Sequence, residues 1–324
     1  MIEFSPINIR TWAMLGQRGT LGVALTEMAE DDPDLVVLSA DLGRTSGLSR
    51  FMENKPRQFF NMGIAEQNMV AMAAGLAKEG KHVFMTTFAN FLAMRSYEQI
   101  RLCLGYMQFP VKAIGIGSGY AMGMFGNSHY GIEDLSLMRM IPNLIVLSPA
   151  DCMEVVKCLQ AVQNLPASVY IRLTGVMNQA MVYRKDYDFE IGKAVHLDEN
   201  EGKDATVFAT GTMVAESMKA AKVLRENGFD IHIVNIHTIK PLDRNVVIQA
   251  CRNSKLLVSV EEHSVLGGLG GAVSEVLAEI GGAPHLLRIG MPDSFVHPGE
   301  YKYLLEQNGL TANSITTKIT ESLR

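Results

Sequence analysis

"NMGIAEQNMVAMAAGLAKEGKHVFMTTF", residues 61–88, holds two hydrophobic patterns in succession. Met69, Ala73, Leu76 and Ala77 recur at helical spacing, which predicts a helix over 66–79. "HVFMTTF" (82–88) is short and nearly continuous in apolar character, which predicts a buried strand. A helix feeding such a strand is the repeating unit of an α/β protein with a parallel sheet covered on both faces.

The unit recurs outward from this stretch. Strands are expected at "LVVLSAD" (35–41), "VKAIGIG" (111–117), "LIVLSPA" (144–150) and "SVYIRLT" (168–174), with helices over 20–31, 95–106, 131–140 and 152–163. Polar segments at 174–192 and 198–205 interrupt the alternation, so a first domain of residues 1–185 and a second of 186–324 are expected. Alternation resumes with strands at 206–211, 230–239, 256–262 and 286–290, and with helices over 213–227 and from about 270. The expected fold class is α/β: two domains, each a mostly parallel sheet with helices on both faces. A length of 324 residues suits two domains.

Composition removes several classes of function. Net charge is −5 with no basic block, which argues against nucleic-acid binding, since phosphate neutralisation needs clustered Lys and Arg. No apolar run is long enough to cross a bilayer, and "MIEFSPINIR" lacks the apolar core of a signal peptide. Cys103, Cys152, Cys158 and Cys251 show no CxxC spacing and read as buried free thiols in a reducing compartment, so a cytoplasmic protein is expected. "GIGSGY" (115–120) and "GGLGG" (267–271) both miss the dinucleotide fingerprint and read as tight strand-to-helix turns.

Glu66 is the single charge in the run 61–77. Two readings stand on the residues alone. It is a first-turn helix acid favoured by the helix dipole, or an acid among apolar groups, where a carboxyl holds its proton more tightly than in water and can share it with a ring nitrogen. Within ten residues only Arg57 offers it a counter-charge. "TTFANF" (86–91) places Phe88 and Phe91 just after a strand end, and "GNSHYGIEDL" (126–135) places His129 in a glycine-flanked polar loop.

At these residues the sequence resembles the C-terminal half of transketolase, its pyrimidine-binding domain followed by its C-terminal domain. The resemblance rests on "LVVLSADL" (35–42), "GIAEQNM" (63–69), "TTFANF" (86–91), "SHYGIED" (128–134), "IPNLIVLSPAD" (141–151), "IRL" (171–173), "EEHSVLGGLGGAV" (261–273) and "IGMPDSF" (289–295). Deoxyxylulose-phosphate synthase and the β subunits of 2-oxo-acid dehydrogenases share the pattern, and all use thiamine diphosphate. The resemblance implies that Glu66 bonds ring N1′ of the cofactor and drives its amino group to the imino form. It implies that Phe91 and Phe88 hold the pyrimidine, that Asp41 lies close to the cofactor, and that His129 stands beside the reacting carbons of a sugar. Arg18, Thr45 and Arg172 match positions that bind sugar phosphate.

The family holds the diphosphate through Mg²⁺ with a Gly-Asp-Gly motif on another domain, and no such motif occurs here. The resemblance therefore implies a partner, an N-terminal transketolase subunit that binds the diphosphate and Mg²⁺, in an assembly of two copies of each chain. Three positions depart from the family. Phe125 stands where an aspartate reads a substrate hydroxyl, Gly117 where a histidine is found, and Met94 where a third aromatic lies. A modified, less hydroxylated ketose or aldehyde is expected to fit such a site. A 2-oxo-acid dehydrogenase β subunit and a non-catalytic interaction subunit are the alternative readings. "EEHSVLGG" (261–268) reads as a strand-end loop contacting a neighbouring protomer.

Overall fold

The computed structural model describes residues 2–324. Helix α1 (Pro6–Asp31) begins at Ser5, whose side chain accepts from the Asn8 N–H, and is broken at Gly16. There follow β1 (Leu35–Ser39), α2 (Ser49–Asn54), β2 (Phe59–Asn61), α3 (Glu66–Lys78) and β3 (His82–Phe88). A π-helical turn (Phe91–Arg95), the single turn α4 (Tyr97–Gln99) and a second π-helical stretch (Ile100–Tyr106) form one irregular arm. Then come β4 (Lys112–Ser118), a 3-10 turn (Gly123–Phe125), α5 (Asp134–Met140), β5 (Ile145–Leu147), α6 (Cys152–Gln163) and β6 (Val169–Thr174). A long irregular connection leads to β7 (Val195–His196), β8 (Ala205–Ala209), α7 (Met213–Glu226), β9 (Ile231–Asn235), β10 (Thr238–Lys240) and α8 (Arg244–Asn253). The chain ends with β11 (Leu256–Ser264), α9 (Leu269–Ile280), β12 (His285–Met291), α10 (Tyr301–Gln307) and α11 (Ala312–Leu323).

Two sheets result, as the alternation of patterns predicts. The first has the order β10-β5-β6-β4-β3-β1-β2, and the second β12-β11-β8-β9-β7. All pairings are parallel except β10 with β5 and the edge strand β7 with β9. Every residue of β1, β4 and β6 is buried, as expected for strands covered on both faces.

From β1 the chain passes to β2 on one side and then, through α3, to β3 on the other. The strand order therefore reverses at β1 and β3, which makes their carboxyl ends the switch point of the sheet. That is where ligands bind in open α/β sheets.

The expected strand 230–239 is in fact two strands in two sheets. Ile231–Asn235 stays beside β8, while Thr238–Lys240 crosses to pair Thr238 with Leu147 and Lys240 with Val146. The run reads as one strand because both halves are buried, and burial pattern alone does not report which sheet covers them. The second domain thus donates an edge strand to the first. The expected helix over 131–140 begins only at Asp134, because Gly131 bridges to Ser118 and Gly119. All four cysteines are free; Cys152 and Cys158 are buried, but Cys103 and Cys251 are only partly so. Among the described residues no helix is long and apolar enough to cross a membrane.

Candidate active site

Glu66 is the first residue of α3 and only 6 % exposed. Its charge lies at the positive end of the helix dipole. The acid expected to stand alone in apolar surroundings is half of an ion pair: Arg95 Nη1 donates to Glu66 Oε1 at 3.0 Å. The partner comes from 29 positions away rather than from Arg57. The π-helical turn brings it there, and Gln67 Nε2 fastens that turn by donating to the Arg95 carbonyl at 3.0 Å.

Arg95 also lies over Phe91, with Cζ 3.6 Å from the ring centroid. Phe88 meets Phe91 edge-on at 5.5 Å. His129 sits edge-on to both, 5.7 Å from Phe88 and 5.3 Å from Phe91. Phe125 covers the histidine at 5.0 Å and a 34° tilt. The fold therefore gathers Glu66, Phe88, Phe91 and His129 into one cluster at the carboxyl ends of β3 and β4. Sequence reading did not single out Arg95; its one signal is a cation four places after an aromatic.

The histidine loop is held from both domains. Asn90 Nδ2 donates to the Ser128 carbonyl at 2.7 Å, and Ser128 Oγ lies 3.0 Å from His129 Nδ1. Asn127 exchanges bonds with the backbone of Val296, and the Gly299 N–H donates to the Gly123 carbonyl. Asn90 is a second residue that sequence reading missed. It is buried, and its Oδ1 finds no protein partner.

Asp41 follows β1 in a left-handed conformation. It exchanges bonds with Asn61, whose Oδ1 also accepts from the Gly63 N–H at the entrance to α3. Arg18 reaches Thr45, donating to its carbonyl at 3.4 Å. Burial lowers the Arg18 pKa. Their proximity depends on two glycines: a Cβ on Gly22 would lie 1.8 Å from the Gly47 carbonyl oxygen, and one on Gly47 would lie 2.2 Å from that of Arg18. Thr45 is exposed and Arg18 half-buried, an arrangement open to an anion.

Arg172 is not part of this arrangement. It is 1 % exposed, and its donors are committed inside the protein. Nε donates to both oxygens of Asp134 at 3.0 and 2.9 Å, Nη1 to Thr174 Oγ1, and Nη2 to the carbonyls of Gly131 and Glu262. Burial opposes its charge, but Asp134 and Glu262 offset this and hold its pKa above the ordinary value. The expected phosphate contact is thus a structural pin between the domains. The pairing with Asp134, itself buried at the start of α5, turns the side chain inward.

The charged residues of "EEHSVLGG" are likewise committed inside the chain. Glu262 accepts from the Tyr120 N–H, Thr212 and Tyr301, while Glu261 accepts from the N–H groups of Leu269 and Gly270 at the start of α9. The Ser264 N–H donates to the Ile132 carbonyl, so the segment packs against the first domain of its own chain. Gly117 is closed to a larger side chain, because its φ is 65° and a Cβ would meet Met122 at 2.9 Å and Phe88 at 3.2 Å. Phe125 and Met94 are exposed.

An α/β chain with an acid, an aromatic pair and a histidine converging at the sheet's switch point has the form of half a cofactor site. The transketolase pyrimidine-binding domain pattern matches residues 14–175, and the transketolase C-terminal domain pattern matches residues 192–315. The chain belongs to the transketolase family and spans those two of its domains. It is 38 % identical to a putative transketolase C-terminal section of Methanocaldococcus jannaschii, over 95 % of this chain and 96 % of that one. It is 37 % identical to a 6-deoxy-6-sulfo-D-fructose transketolase subunit of Clostridium sp. (strain MSTE9), over 92 % of this chain and 91 % of that one. A solved structure described as a split gene transketolase, inactive beta4 tetramer, is 39 % identical over 95 % of this chain and 97 % of that one, with a TM-score of 0.84.

Proposed function

We propose that this chain is the small subunit of a split transketolase and, with a partner chain, transfers a two-carbon ketol unit from a ketose to an aldehyde. The observation that carries this reading is the convergence of Glu66, Phe91, Phe88 and His129 beyond β3 and β4 in a chain of this family. The cofactor in this reading is thiamine diphosphate, which supplies a carbon nucleophile and an electron sink for the two-carbon unit. The residues present suit its pyrimidine ring. Phe91 offers a flat face, Glu66 an acceptor beside it, and a planar nitrogen cation of this chain already lies on both.

Glu66 would hold the ring nitrogen of the bound cofactor by a hydrogen bond and share a proton with it. Phe91 and Phe88 fix the ring plane. Ser128 engages His129 Nδ1, which turns Nε2 to the substrate, where it bonds a sugar oxygen and moves a proton. Asp41 stands on the cofactor side of the crevice, and Arg18 with Thr45 receives an anionic end of the sugar. The diphosphate and Mg²⁺ belong to an N-terminal transketolase partner in an assembly of two copies of each chain. Support comes from relatives that match this chain over almost their whole length and are named as a section or a subunit.

Phe125 sets the substrate class. Its ring is 62 % exposed and covers His129 with apolar surface, so a hydroxyl placed there would lose its partner. The substrate is then a deoxy, amino or sulfo ketose or a similarly modified aldehyde, a reading supported by the relative named for a 6-deoxy-6-sulfo ketose. Copurification with the partner, followed by assays of ketol transfer and of pyruvate oxidation, tests both parts. Transfer without pyruvate oxidation is expected, and Phe125→Asp should raise turnover of ordinary ketose phosphates about tenfold or more. Pyruvate oxidation would favour a dehydrogenase subunit, and no gain from Phe125→Asp would remove the specificity assignment.

A further inference from the structure

We infer that Arg95 is a self-ligand: its guanidinium occupies the place of a planar cationic amidine on Glu66 and Phe91, and an aminopyrimidine enters only by displacing it. This rests on the reading of the cluster given above. The geometry is that of a bound ligand. The guanidinium lies 3.6 Å above the Phe91 centroid and gives one in-plane N–H to Glu66 at 3.0 Å. Phe88 and His129 pack against Phe91 at steep angles of 80° and 61°, and the group placed over its ring is Arg95. A protonated aminopyrimidine has the same features: a flat delocalised cation, donors in its plane, and a preference for an aromatic face with a carboxylate at its edge. Two such groups cannot share one ring face and one carboxylate oxygen.

The two partners differ in how tightly the fold holds them. Glu66 is fixed at 6 % exposure at a helix start, whereas the Arg95 side chain is 50 % exposed. Arg95 can leave into water while Glu66 stays, and its backbone remains anchored by Gln67. Entry of the ring then carries a conformational cost, since apparent affinity is reduced by the fraction of molecules in which the seat is clear. The same contact keeps a buried carboxylate paired until the ring arrives.

The test is calorimetric titration of the full chain with 4-amino-2,5-dimethylpyrimidine, comparing wild type with Arg95→Gln, Phe91→Ala and Glu66→Gln. Arg95→Gln removes the cation and leaves a shorter, neutral polar side chain. It should bind about tenfold more tightly than wild type, while Phe91→Ala and Glu66→Gln bind more weakly. The Arg95 Nε–H resonance of the wild type, shifted by the Phe91 ring current, should move to its solvent-exposed position as the ring is added. If Arg95→Gln binds no more tightly than wild type, or not at all, while the other two variants still lose affinity, the displacement is overturned and the seat survives. If Phe91→Ala and Glu66→Gln bind as wild type does, the seat itself is refuted, and the displacement with it.

Discussion

Two arginine–carboxylate pairs in this chain share their chemistry and differ in their setting. Arg95 meets Glu66 at 3.0 Å with its guanidinium half in water; Arg172 meets Asp134 at 2.9 Å with both partners sealed from solvent. Removing one partner of a sealed pair leaves an uncompensated charge in a medium of low polarity. A half-exposed pair parts at little cost, because water receives the guanidinium. The difference separates a fixture from a seat. Arg172 joins the first domain to β11 of the second, and Arg95 lies in a site whose occupant can change.

The largest effect should come from breaking the fixture. Arg172→Met removes the counter-charge of Asp134, leaving it only the Tyr170 hydroxyl, and takes the guanidinium donor from the carbonyls of Gly131 and Glu262. It should cost about 3–5 kcal/mol in urea unfolding, whereas Arg95→Met, which leaves Glu66 unpaired at the helix start, should cost about 1–2 kcal/mol. Equal losses would erase the distinction.

A smaller effect sharpens it through pH. Burial raises the Glu261 pKa to about 7, against bonds from the Gly270 and Leu269 N–H groups that lower it. The folded chain therefore binds more protons at this site than the unfolded chain, and its contribution to stability is lost as pH rises through 7. Burial pushes nearby His263 down to about 4, so its contribution has the opposite sign and fades above its ordinary 6.5. Between pH 6.5 and 8 the Glu261 term lowers unfolding free energy by about 0.8 kcal/mol and the tail of the His263 term raises it by about 0.4 kcal/mol, so a small net fall is expected. Urea midpoints at the two pH values should show this fall in wild type and lose it in Glu261→Gln. A fall of the same size in the variant would place the titrating group elsewhere.

The alternation of patterns made the two α/β sheets legible, because continuous apolar runs and helical periods are local properties. The cluster was legible in part for the same reason: Glu66, Phe88, Phe91 and His129 each sit in a short distinctive stretch at an element's end. Arg95 was not, since a π-helical turn sets its direction and its partner lies 29 positions away. The inward turn of Arg172, Glu261, Glu262 and His263 was hidden because sequence shows a charge without showing which way it faces. Asp134, which turns Arg172 inward, was seen only as part of a loop motif. The crossing of β10 into the first sheet was hidden because both sheets bury their strands alike.

The most direct test of the central claim is ketol transfer by the partnered complex carrying Glu66→Gln. Turnover should fall about 10²–10⁴-fold, with assembly mass and urea midpoint close to those of the wild type. A Glu66→Gln complex that turns over at the wild-type rate would contradict the assignment of Glu66 as the acid of the cofactor site.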